Sequence, residues 1–505
     1  MDDSFILTEF KALDLLPQRS AVILLRNFLA KNDNPEETLK RLLKQILKSS
    51  PVDNIVDKTL IEREISTFKK SLSPSHHVFG YQSAFEYPRF VFDSSNRTLI
   101  PSNEEKSTIG TANDKCNSII SRYKIVKQSL LHTSLFKSSS VHFAINSDQK
   151  LSITSITSLI SKEDSNVIVL GLLDLDGDTL TIEDDTGIVN LDISGLQQAI
   201  GIFSVGSVVL VNGDYRDKTV YATIIGHPPS TQISDFFANF WRLPTDPYGW
   251  NLSKNSMTEL HELLETQHSS SLILVFSDVW IDIPSVLDNF NHVLSQFDKS
   301  PPNMIIISGS FTSKPYSINQ LGDFQRLFSR FCDKIFLHSE IKKFTQFVFI
   351  PSLVDIASPK VYPRPSFPDS IQKIFPEAKF LSNPCRIRFM DQTITIFRDD
   401  IMKRVCSCAV IPVSDEDVHI NLVTTLLNQR HMCPIDQAHA PISWSYDFSF
   451  NLFPPPDALI LCDSCFPWKA NVNDVCSMNP GQFGNGGTYG LYYPYQKETN
   501  IQKIN

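Results

Sequence analysis

The second half of the chain repeats one pattern, in which a short apolar segment is followed by a stretch with helical spacing. The apolar segments are predicted to be buried strands. They cover residues 272–276, 304–307, 347–350, 394–397 and 458–461. Between the first two segments, apolar residues from 286 to 297 lie on one helical face after Pro284, a favoured residue at a helix start. This alternation predicts an α/β domain, which we place at residues 236–505.

Five strand signals follow one another closely in the region before this domain. They cover residues 167–173, 179–183, 188–193, 208–212 and 220–225. Asp176-Gly177 and Asn212-Gly213 are typical of hairpin turns because these residues tolerate positive φ angles. Five short strands with such turns predict a small barrel of the oligonucleotide/oligosaccharide-binding (OB) type over residues 151–235.

The first seventy residues have helical periodicity. Apolar residues within 39–47 lie on one helical face, those within 22–29 indicate another buried helix, and a weaker set follows at 60–68. We therefore predict a helical bundle over residues 1–70. Residues 71–150 are Ser-rich and mixed, and they are predicted to be a linker with an anchoring apolar segment. The predicted fold class is multidomain α+β, with a bundle, a barrel and an α/β domain.

Composition argues against several classes of protein. The formal charge is −9, from 46 basic and 55 acidic residues, which does not suit a broad surface for nucleic acid. The longest apolar stretches hold five residues, against the roughly 20 that span a bilayer, so no membrane partner is expected. The acidic start Met1-Asp2-Asp3 is unlike a secretory signal, and the nine cysteines fit reduced thiols inside the cell.

Several polar residues follow the predicted strands of the α/β domain, where ligands gather in open sheets. The candidate site residues are Asp278, Trp280, Ser310, Ser352, His431 and Asp463. Cleavage of a phosphodiester by two metals needs ions about 3.5–4 Å apart, a bridging carboxylate and several His, Asp or Asn ligands. The candidate residues do not supply that set. We therefore predict no catalytic residue, no metal and no cofactor here.

Two other groups of residues resemble metal sites, and each has a simpler interpretation. Cys406-x-Cys408 and Cys462-x-x-Cys465 suggest a four-thiolate zinc site, but the first pair is a poor match to zinc spacings and ordinary thiols are favoured. Residues 174–178 read Asp-x-Asp-x-Asp, yet the glycine and glutamate of a calcium loop are out of place. A charged hairpin is predicted there, and His76-His77 is predicted to be a solvated turn.

The predicted barrel has little material for binding single-stranded nucleic acid. Tyr215 and Tyr221 supply aromatic faces, and Arg216 and Lys218 supply positive charge. The acidic run at residues 183–185 would repel phosphate. We predict a structural barrel that packs on the α/β domain, with DNA binding that is weak or indirect.

The strand ends resemble those of the calcineurin-like metallophosphoesterase fold, which carry Asp-x-His, Gly-Asp, Gly-Asn-His and Gly-His-x-His in that order. Asp278 is kept, but Trp280 stands in place of the first histidine and Ser310 in place of the bridging aspartate. Ser352-Leu353 replaces the Asn-His pair, and residues 462–465 replace the final histidine motif, which leaves His431. The resemblance implies an inactive phosphoesterase domain with a vestigial site.

Six motifs extend this resemblance along nearly the whole chain. They are Tyr87-Pro88-Arg89-Phe90-Val91, Glu183-Asp184-Asp185-Thr186-Gly187, Ser277-Asp278-Val279-Trp280, Asn383-Pro384-Cys385-Arg386-Ile387, Trp444-Ser445-Tyr446-Asp447 and Asn479-Pro480-Gly481-Gln482-Phe483. Together with an OB barrel, they resemble the B-subunit family of eukaryotic replicative DNA polymerases, and most closely its epsilon members. Gln482 departs from the serine usual in the family, and residues 484–487 are unusually rich in glycine.

The resemblance implies a non-catalytic accessory subunit in the nucleus. It implies that the barrel and the phosphoesterase-like domain bind the carboxyl-terminal zinc module of the catalytic subunit of DNA polymerase epsilon. It also implies that the amino-terminal helices reach the replicative helicase through GINS. The alternatives are the equivalent accessory subunit of polymerase alpha or delta, and an active metal-dependent phosphodiesterase or nuclease.

Overall fold

The computed structural model divides the chain into two compact units, Met1–Gly80 and Tyr81–Asn505. It describes residues 3–13, 15–29, 78–93, 98–102, 107–131, 152–159, 164–230, 248–250, 252, 254–356 and 360–504, together with positions 39, 43, 55, 56, 58, 60 and 61. Among the helices in these residues, none has both the length and the apolar character needed to cross a membrane.

Among the described residues of the first unit, the continuous helices are Asp3–Ala12 and Arg19–Leu29. The second helix confirms the helical prediction at residues 22–29. A short parallel pair joins Leu16–Pro17 to Ile55–Val56. Phe10, Leu25 and Leu39 belong to one buried apolar cluster in this unit. Most residues of the predicted helices at 39–47 and 60–68 lie outside the described residues, so the bundle as a whole stays a prediction.

The barrel forms where the sequence predicts it. Its strands are Asp164–Asp176, Thr179–Glu183, Ile188–Asp192, Gln198–Ile200, Val208–Arg216 and Thr219–Gly226. The strand Val208–Arg216 pairs with both Asp164–Asp176 and Thr219–Gly226, which closes the sheet. The interior is apolar and includes Val169, Phe203 and Val211.

One of the two predicted hairpin turns of the barrel is wrong. Gly177 lies in a turn with a positive φ, as expected. Asn212-Gly213, however, lies inside the strand Val208–Arg216, at a point where the pairing register shifts. A side chain on Gly213 would meet the Tyr221 carbonyl oxygen at 2.0 Å, so glycine is needed there for close strand approach. The actual turn is Asp217-Lys218, where both residues have positive φ angles.

The α/β domain contains two six-stranded sheets. In order across the first sheet, the strands are Lys379–Phe380, Gln346–Ile350, Met304–Ser308, Ile273–Ser277, Thr488–Tyr493 and Glu498–Lys503. The first four strands are parallel, and the last two are antiparallel to their neighbours. The helices of this region are Lys254–Gln267, Pro284–Gln296, Leu321–Phe336, Ser339–Phe344, Asp369–Gln372 and the short Phe483–Gly486. A phenylalanine-rich core that includes Phe276, Phe290 and Phe328 joins the sheet to the helices Pro284–Gln296 and Leu321–Phe336.

The second sheet contains two of the strands that the sequence predicts. Across it, the strands are Trp468–Val472, Val475–Asn479, Ala458–Leu461, Gln392–Phe397, Cys385–Phe389 and Phe79–Ser83. Its two longer helices are Ile401–Ser407 and Val418–Gln429. The sheets contact each other through side chains, since the Tyr492 hydroxyl lies 3.3 Å from Gln392 Oε1. The five predicted strands of the domain are therefore confirmed, and they belong to two sheets.

The segment predicted to be a linker is ordered over much of its length. It contains the strands Phe90–Asp93 and Thr98–Pro101, and a long helix, Ala112–Leu131. Tyr123 of this helix donates a hydrogen bond to the Leu170 carbonyl of the barrel at 3.2 Å. Arg122 of the same helix forms a buried ion pair with Asp447 of the α/β domain. The helix therefore connects the barrel to the α/β domain.

Candidate functional site

The site begins at Asp278, directly after the first-sheet strand Ile273–Ser277. Its backbone has a positive φ of 56°, which turns the chain away from the strand. The Asp278 amide donates to the Ser308 carbonyl at 3.0 Å, and its own carbonyl accepts from the Gly484 amide at 2.9 Å. The side chain is 1% exposed, so its carboxylate must be compensated by groups within the protein.

That compensation comes from Arg398, which follows the second-sheet strand Gln392–Phe397. Its Nη2 lies 2.9 Å from Asp278 Oδ1 and 3.1 Å from Oδ2, and its Nε lies 3.1 Å from Oδ1. Nε also donates to the Gly309 carbonyl at 2.6 Å, and Nη1 donates to Asp400 at 3.1 Å. A guanidinium therefore binds the carboxylate through two nitrogens at the meeting point of the two sheets.

Two further donors complete the surroundings of Asp278. Gln482 Nε2 donates to Asp278 Oδ2 at 3.0 Å, and the Ser310 amide donates to Oδ1. Gln482 belongs to the last of the six sequence motifs. Both carboxylate oxygens thus accept at least two hydrogen bonds from the protein, which leaves little capacity for a metal ion.

The position of Arg398 is fixed through its backbone. Asn383 accepts from the Arg398 amide at 3.0 Å and donates to the Arg398 carbonyl at 2.8 Å. The Tyr362 hydroxyl donates to the same carbonyl at 2.7 Å. Burial lowers the pKa of Arg398, but the nearby carboxylates of Asp278 and Asp400 outweigh it, and the net pKa is raised above its ordinary value. The guanidinium is therefore a permanent cation.

Ser310 and Ser352 lie together beside this pair. Their hydroxyl oxygens are 3.2 Å apart, and Ser352 also donates through Oγ to Asp355 at 2.9 Å. Asp355 accepts two backbone hydrogen bonds, from Phe311 at 2.8 Å and from Ser352 at 2.7 Å. A side chain on Gly309 would meet the Asp355 carboxylate at 1.9 Å, so glycine is needed there. Burial raises the pKa of Asp355 despite these hydrogen bonds.

Trp280 packs over the glycine-rich segment near the end of the chain. It is partly buried, and a side chain on Gly484 would meet its ring at 2.4 Å. The glycine at position 484 is thus explained by close contact with the indole.

Asp463 holds the loop that follows the strand Ala458–Leu461. Its carboxylate accepts from the Met402 amide at 2.9 Å and from the Cys465 amide at 3.0 Å. Its own amide donates to Asn479 Oδ1 at 3.1 Å. Burial raises the pKa of Asp463, with smaller opposing contributions from the two amides. This carboxylate has a structural role in the loop.

His431 joins a different cluster from Asp278. Its Nε2 lies 3.5 Å from Asp447 Oδ2, and its Nδ1 accepts from the Cys433 amide at 3.0 Å. Asp447 is paired with Arg122 of the helix Ala112–Leu131. Burial, and then the positive charge of Arg122, lower the pKa of His431. The structure thus brings Asp278, Ser310 and Ser352 together and places His431 in a buried polar contact with Asp447.

The donor set does not fit a two-metal centre. Among the described residues, no group of three or more His, Cys, Asp or Glu side chains is arranged to hold an ion. This includes Cys406, Cys408, Cys462 and Cys465, all of which have free thiols. Burial raises the pKa of Cys462 and of Cys465 to about 12, so both thiols are protonated at neutral pH.

Two residues that define the site were not predicted from the sequence. Arg398 and Asp355 both follow predicted strands, at 394–397 and 347–350, but neither stands at a position of the metallophosphoesterase motifs. The sequence does allow Arg398 to be considered as a partner of Asp278, because a basic residue at the end of a buried strand can neutralise a lone buried aspartate.

Two protein families match separate parts of the chain. The family of the B subunits of DNA polymerases alpha and epsilon matches residues 273–468. The family described as "DNA polymerase epsilon subunit 2-like, OB-fold domain" matches residues 112–229. The second match begins with the helix Ala112–Leu131, so that helix is part of the barrel's family unit.

Relatives match over nearly the full chain. DNA polymerase epsilon subunit 2 of Mus musculus is 30% identical over 484 residues, which cover 93% of this chain and 92% of the relative. The chain belongs to the DNA polymerase epsilon subunit 2 family. The Homo sapiens subunit 2 is 28% identical with the same coverage, and that of Drosophila melanogaster is 25% identical over 85% of this chain and 83% of the relative.

Membership of the DNA polymerase epsilon subunit 2 family makes this chain an accessory subunit related to DNA replication. The epsilon assignment made from the sequence motifs is confirmed, because the barrel family and these relatives are all described as belonging to polymerase epsilon.

Solved structures also resemble part of the chain. An archaeal phosphodiesterase aligns with 46% of this chain and 99% of its own, at 12% identity and a TM-score of 0.25. Vps29 of Entamoeba histolytica aligns with 46% and 98%, at 12% identity and a TM-score of 0.21. These scores are too low to support an inference about this subunit.

Proposed function

We propose that this subunit is a catalytically inactive scaffold with a calcineurin-like phosphoesterase fold. In this proposal the barrel and the two-sheet domain bind the carboxyl-terminal zinc module of the catalytic subunit of DNA polymerase epsilon. The amino-terminal helices link the polymerase to the replicative helicase through GINS. The subunit acts in the nucleus and contacts DNA weakly or indirectly.

The observation that carries the proposal is the ion pair between Arg398 and Asp278. A divalent ion at Asp278 would have to approach a guanidinium that cannot be deprotonated. Two unit charges 4 Å apart repel by about 4 kcal/mol at an effective dielectric constant of 20, and a divalent ion doubles that value. The ion would also have to displace the hydrogen bond from Gln482. A scaffold needs no such ion, because Arg398 neutralises Asp278 from within the chain.

Family membership and the buried contacts between the domains support the binding role. The barrel and the α/β domain share buried polar contacts, such as the Val208 amide with Gln429 Oε1 at 2.8 Å. A stable interface between two proteins buries roughly 2,000 Å² or more, and a rigid surface limits the entropy lost on binding.

A hydrolysis assay tests whether the subunit is catalytically inactive. The pure subunit is mixed with manganese and a generic phosphodiester, and hydrolysis is measured for the wild type and for Asp278→Asn. We expect no hydrolysis above background from either protein. Hydrolysis by the wild type that is lost in Asp278→Asn would establish the alternative, a metal-dependent phosphodiesterase.

Co-expression tests the proposed contact with the zinc module of the catalytic subunit. The subunit is expressed with the catalytic subunit of polymerase epsilon, or with the same catalytic subunit lacking its carboxyl-terminal zinc module, and the complexes are purified by affinity. We expect a stoichiometric complex with the complete catalytic subunit and none with the shortened one. Equal recovery with both would contradict the proposed contact. Deletion of residues 1–77 should leave this complex intact and abolish co-purification with GINS.

A further inference from the structure

Exposed apolar and exposed acidic residues lie next to His419 in the sequence, and the His419 ring contacts Phe466 of the second-sheet loop. Phe466 is 53% exposed, and the neighbouring Pro467 is also exposed. On the helix Val418–Gln429, Ile420 is 39% exposed. Residues 415–417, immediately before this helix, are three exposed acidic residues. We call this set, together with His419, the Phe466 face.

The aromatic part of this face is anchored in the core. The Phe466 ring lies 6.3 Å from the His419 ring in an edge-on contact, and His419 lies 5.9 Å from the Trp468 ring. Trp468 is buried and belongs to the apolar cluster beneath the second sheet. Phe466 therefore lies at the outer end of a row of rings that begins in the core.

The loop that presents Phe466 is fixed by buried hydrogen bonds. Asn479 Nδ2 donates to the Phe466 carbonyl at 3.0 Å, while Asn479 Oδ1 accepts from the Asp463 amide at 3.1 Å. The Asp463 carboxylate in turn accepts from the Cys465 amide at 3.0 Å. A large apolar side chain on a loop held in this way is pre-organised, which reduces the entropy cost of binding a partner. Aromatic side chains of this kind are frequent centres of binding energy.

Within the described part of the chain, the acidic side chains of the face are not engaged in hydrogen bonds or ion pairs. Asp417 occupies the N-cap position of the helix Val418–Gln429 but makes no side-chain capping hydrogen bond. Arg404, in the preceding helix, is paired with Asp399 instead. None of the three carboxylates forms an ion pair with another described residue. These three negative charges, which the N-terminus of the helix partly stabilises, repel nucleic acid and anionic lipid, and they attract a cationic polypeptide.

We propose that the Phe466 face is a docking surface for a basic segment of a protein partner, one that carries an aromatic or aliphatic side chain next to Lys or Arg residues. The apolar side chain packs on Phe466 and Ile420, and the basic residues pair with Asp415, Glu416 and Asp417. The charge supplies selectivity and a faster association rate, and the apolar contact supplies most of the affinity.

A selection from a library of random short peptides on the full chain tests this proposal. Binding of the selected peptides is then measured by fluorescence anisotropy. We expect peptides with net positive charge and at least one large apolar residue, and we expect Phe466→Ser to weaken their binding at least about tenfold. The triple change Asp415→Asn, Glu416→Gln and Asp417→Asn should weaken binding about threefold at low salt and much less at high salt.

Matched variants separate docking from folding. Leu337 is 71% exposed on another part of the domain, so Leu337→Ser should leave peptide binding unchanged. Ile420→Ser provides a second disruption of the face should Phe466→Ser fold poorly. Three results would overturn the proposal: peptides that bind both Phe466→Ser and Ile420→Ser as well as the wild type, Phe466-dependent peptides that are acidic, or self-association of the wild type that Phe466→Ser abolishes in light scattering.

Discussion

At the scale of single residues, Arg398 does for Asp278 what a metal ion does in a two-metal centre. A buried carboxylate must be neutralised, and here the cation is part of the chain. Two of the motifs noted in the sequence contribute to this arrangement. The Asn383 side chain forms hydrogen bonds with both the backbone amide and the backbone carbonyl of Arg398, and Gln482 donates to Asp278. These motifs therefore have a physical role that does not depend on catalysis.

Removing either Asp278 or Arg398 alone should destabilise the folded protein. We expect Arg398→Gln to lower the free energy of unfolding by about 3–5 kcal/mol, because Asp278 is left buried without its counter-charge. The double variant Asp278→Asn with Arg398→Gln should lose less than the sum of the two single changes. Urea unfolding of the wild type, the two single variants and the double variant measures both effects.

An exposed ion pair provides the control for this cycle. Arg326 and Asp323 have side chains that are 79% and 52% exposed, so Arg326→Gln should change the unfolding free energy by less than about 0.5 kcal/mol. Additive losses at Asp278 and Arg398, or a loss no larger than that of Arg326→Gln, would show that Arg398 does not neutralise Asp278.

His227 should make the stability of the subunit depend on pH. Its Nε2 donates to the Ile202 carbonyl at 3.0 Å, and its Nδ1 accepts from Gln429 at 2.8 Å, so the folded state holds a neutral ring. Burial lowers the pKa of His227 from 6.5 to about 4, although its backbone hydrogen bonds oppose this. The unfolded chain then binds the proton more readily, and stability is lost as the pH falls from 6.5 towards 4.

The variant His227→Gln isolates this contribution. The unfolding free energy of the wild type, minus that of the variant, should fall by about 1.4 kcal/mol per pH unit over that window, and it should be constant above it. Urea unfolding at a series of pH values measures the difference, in which other titrating groups cancel. A difference that does not change with pH would show that His227 is not held neutral.

At the scale of elements, the helix Ala112–Leu131 shows where prediction from sequence fails. Strands and helices of the α/β domain are detected because their buried residues are apolar. This helix instead buries Ser118, Arg122 and Ser129 along with a few apolar residues, so its hydrophobic periodicity is weak. Those polar residues are satisfied by distant partners, as when Arg430 donates to Ser129. A single sequence contains no local signal for such contacts.

The stability of the helix Ala112–Leu131 should depend on its buried ion pair. Arg122 and Asp447 have side chains that are 7% and 4% exposed, and His431 lies against Asp447. We expect Arg122→Met to destabilise the chain by about 3–5 kcal/mol and to speed hydrogen exchange in the helix Ala112–Leu131.

Lys127→Met on the same helix is the matched control. Lys127 pairs with Asp185 at 2.9 Å, but the two side chains are 28% and 52% exposed, so its loss should cost no more than about 1 kcal/mol. Equal effects of the two variants on stability and exchange would mean that the buried pair does not fix the helix.

At the scale of the whole molecule, the order of barrel and α/β domain is predictable because each has its own periodicity. The grouping of the strands into two sheets is not predictable in this way. The strands Cys385–Phe389 and Val475–Asn479 carry buried polar residues such as Arg386 and Ser477, and they give no continuous apolar run. The site at Asp278 lies where the two sheets meet, and its main partner therefore could not be found without the structure.

The division into two compact units predicts where the chain can be cut. The edge strand Phe79–Ser83 pairs in the second sheet, and Gln82 Nε2 donates to the Tyr248 carbonyl at 2.7 Å. A fragment of residues 78–505 keeps this strand, and we expect its unfolding midpoint in urea to equal that of the main transition of the full chain. A fragment of residues 84–505 loses the strand and should be less stable by roughly 1–3 kcal/mol, because backbone groups of Cys385–Phe389 lose their partners. Equal stability of the two fragments would show that the edge strand is dispensable, and a large loss in the longer one would show that the second unit needs the first.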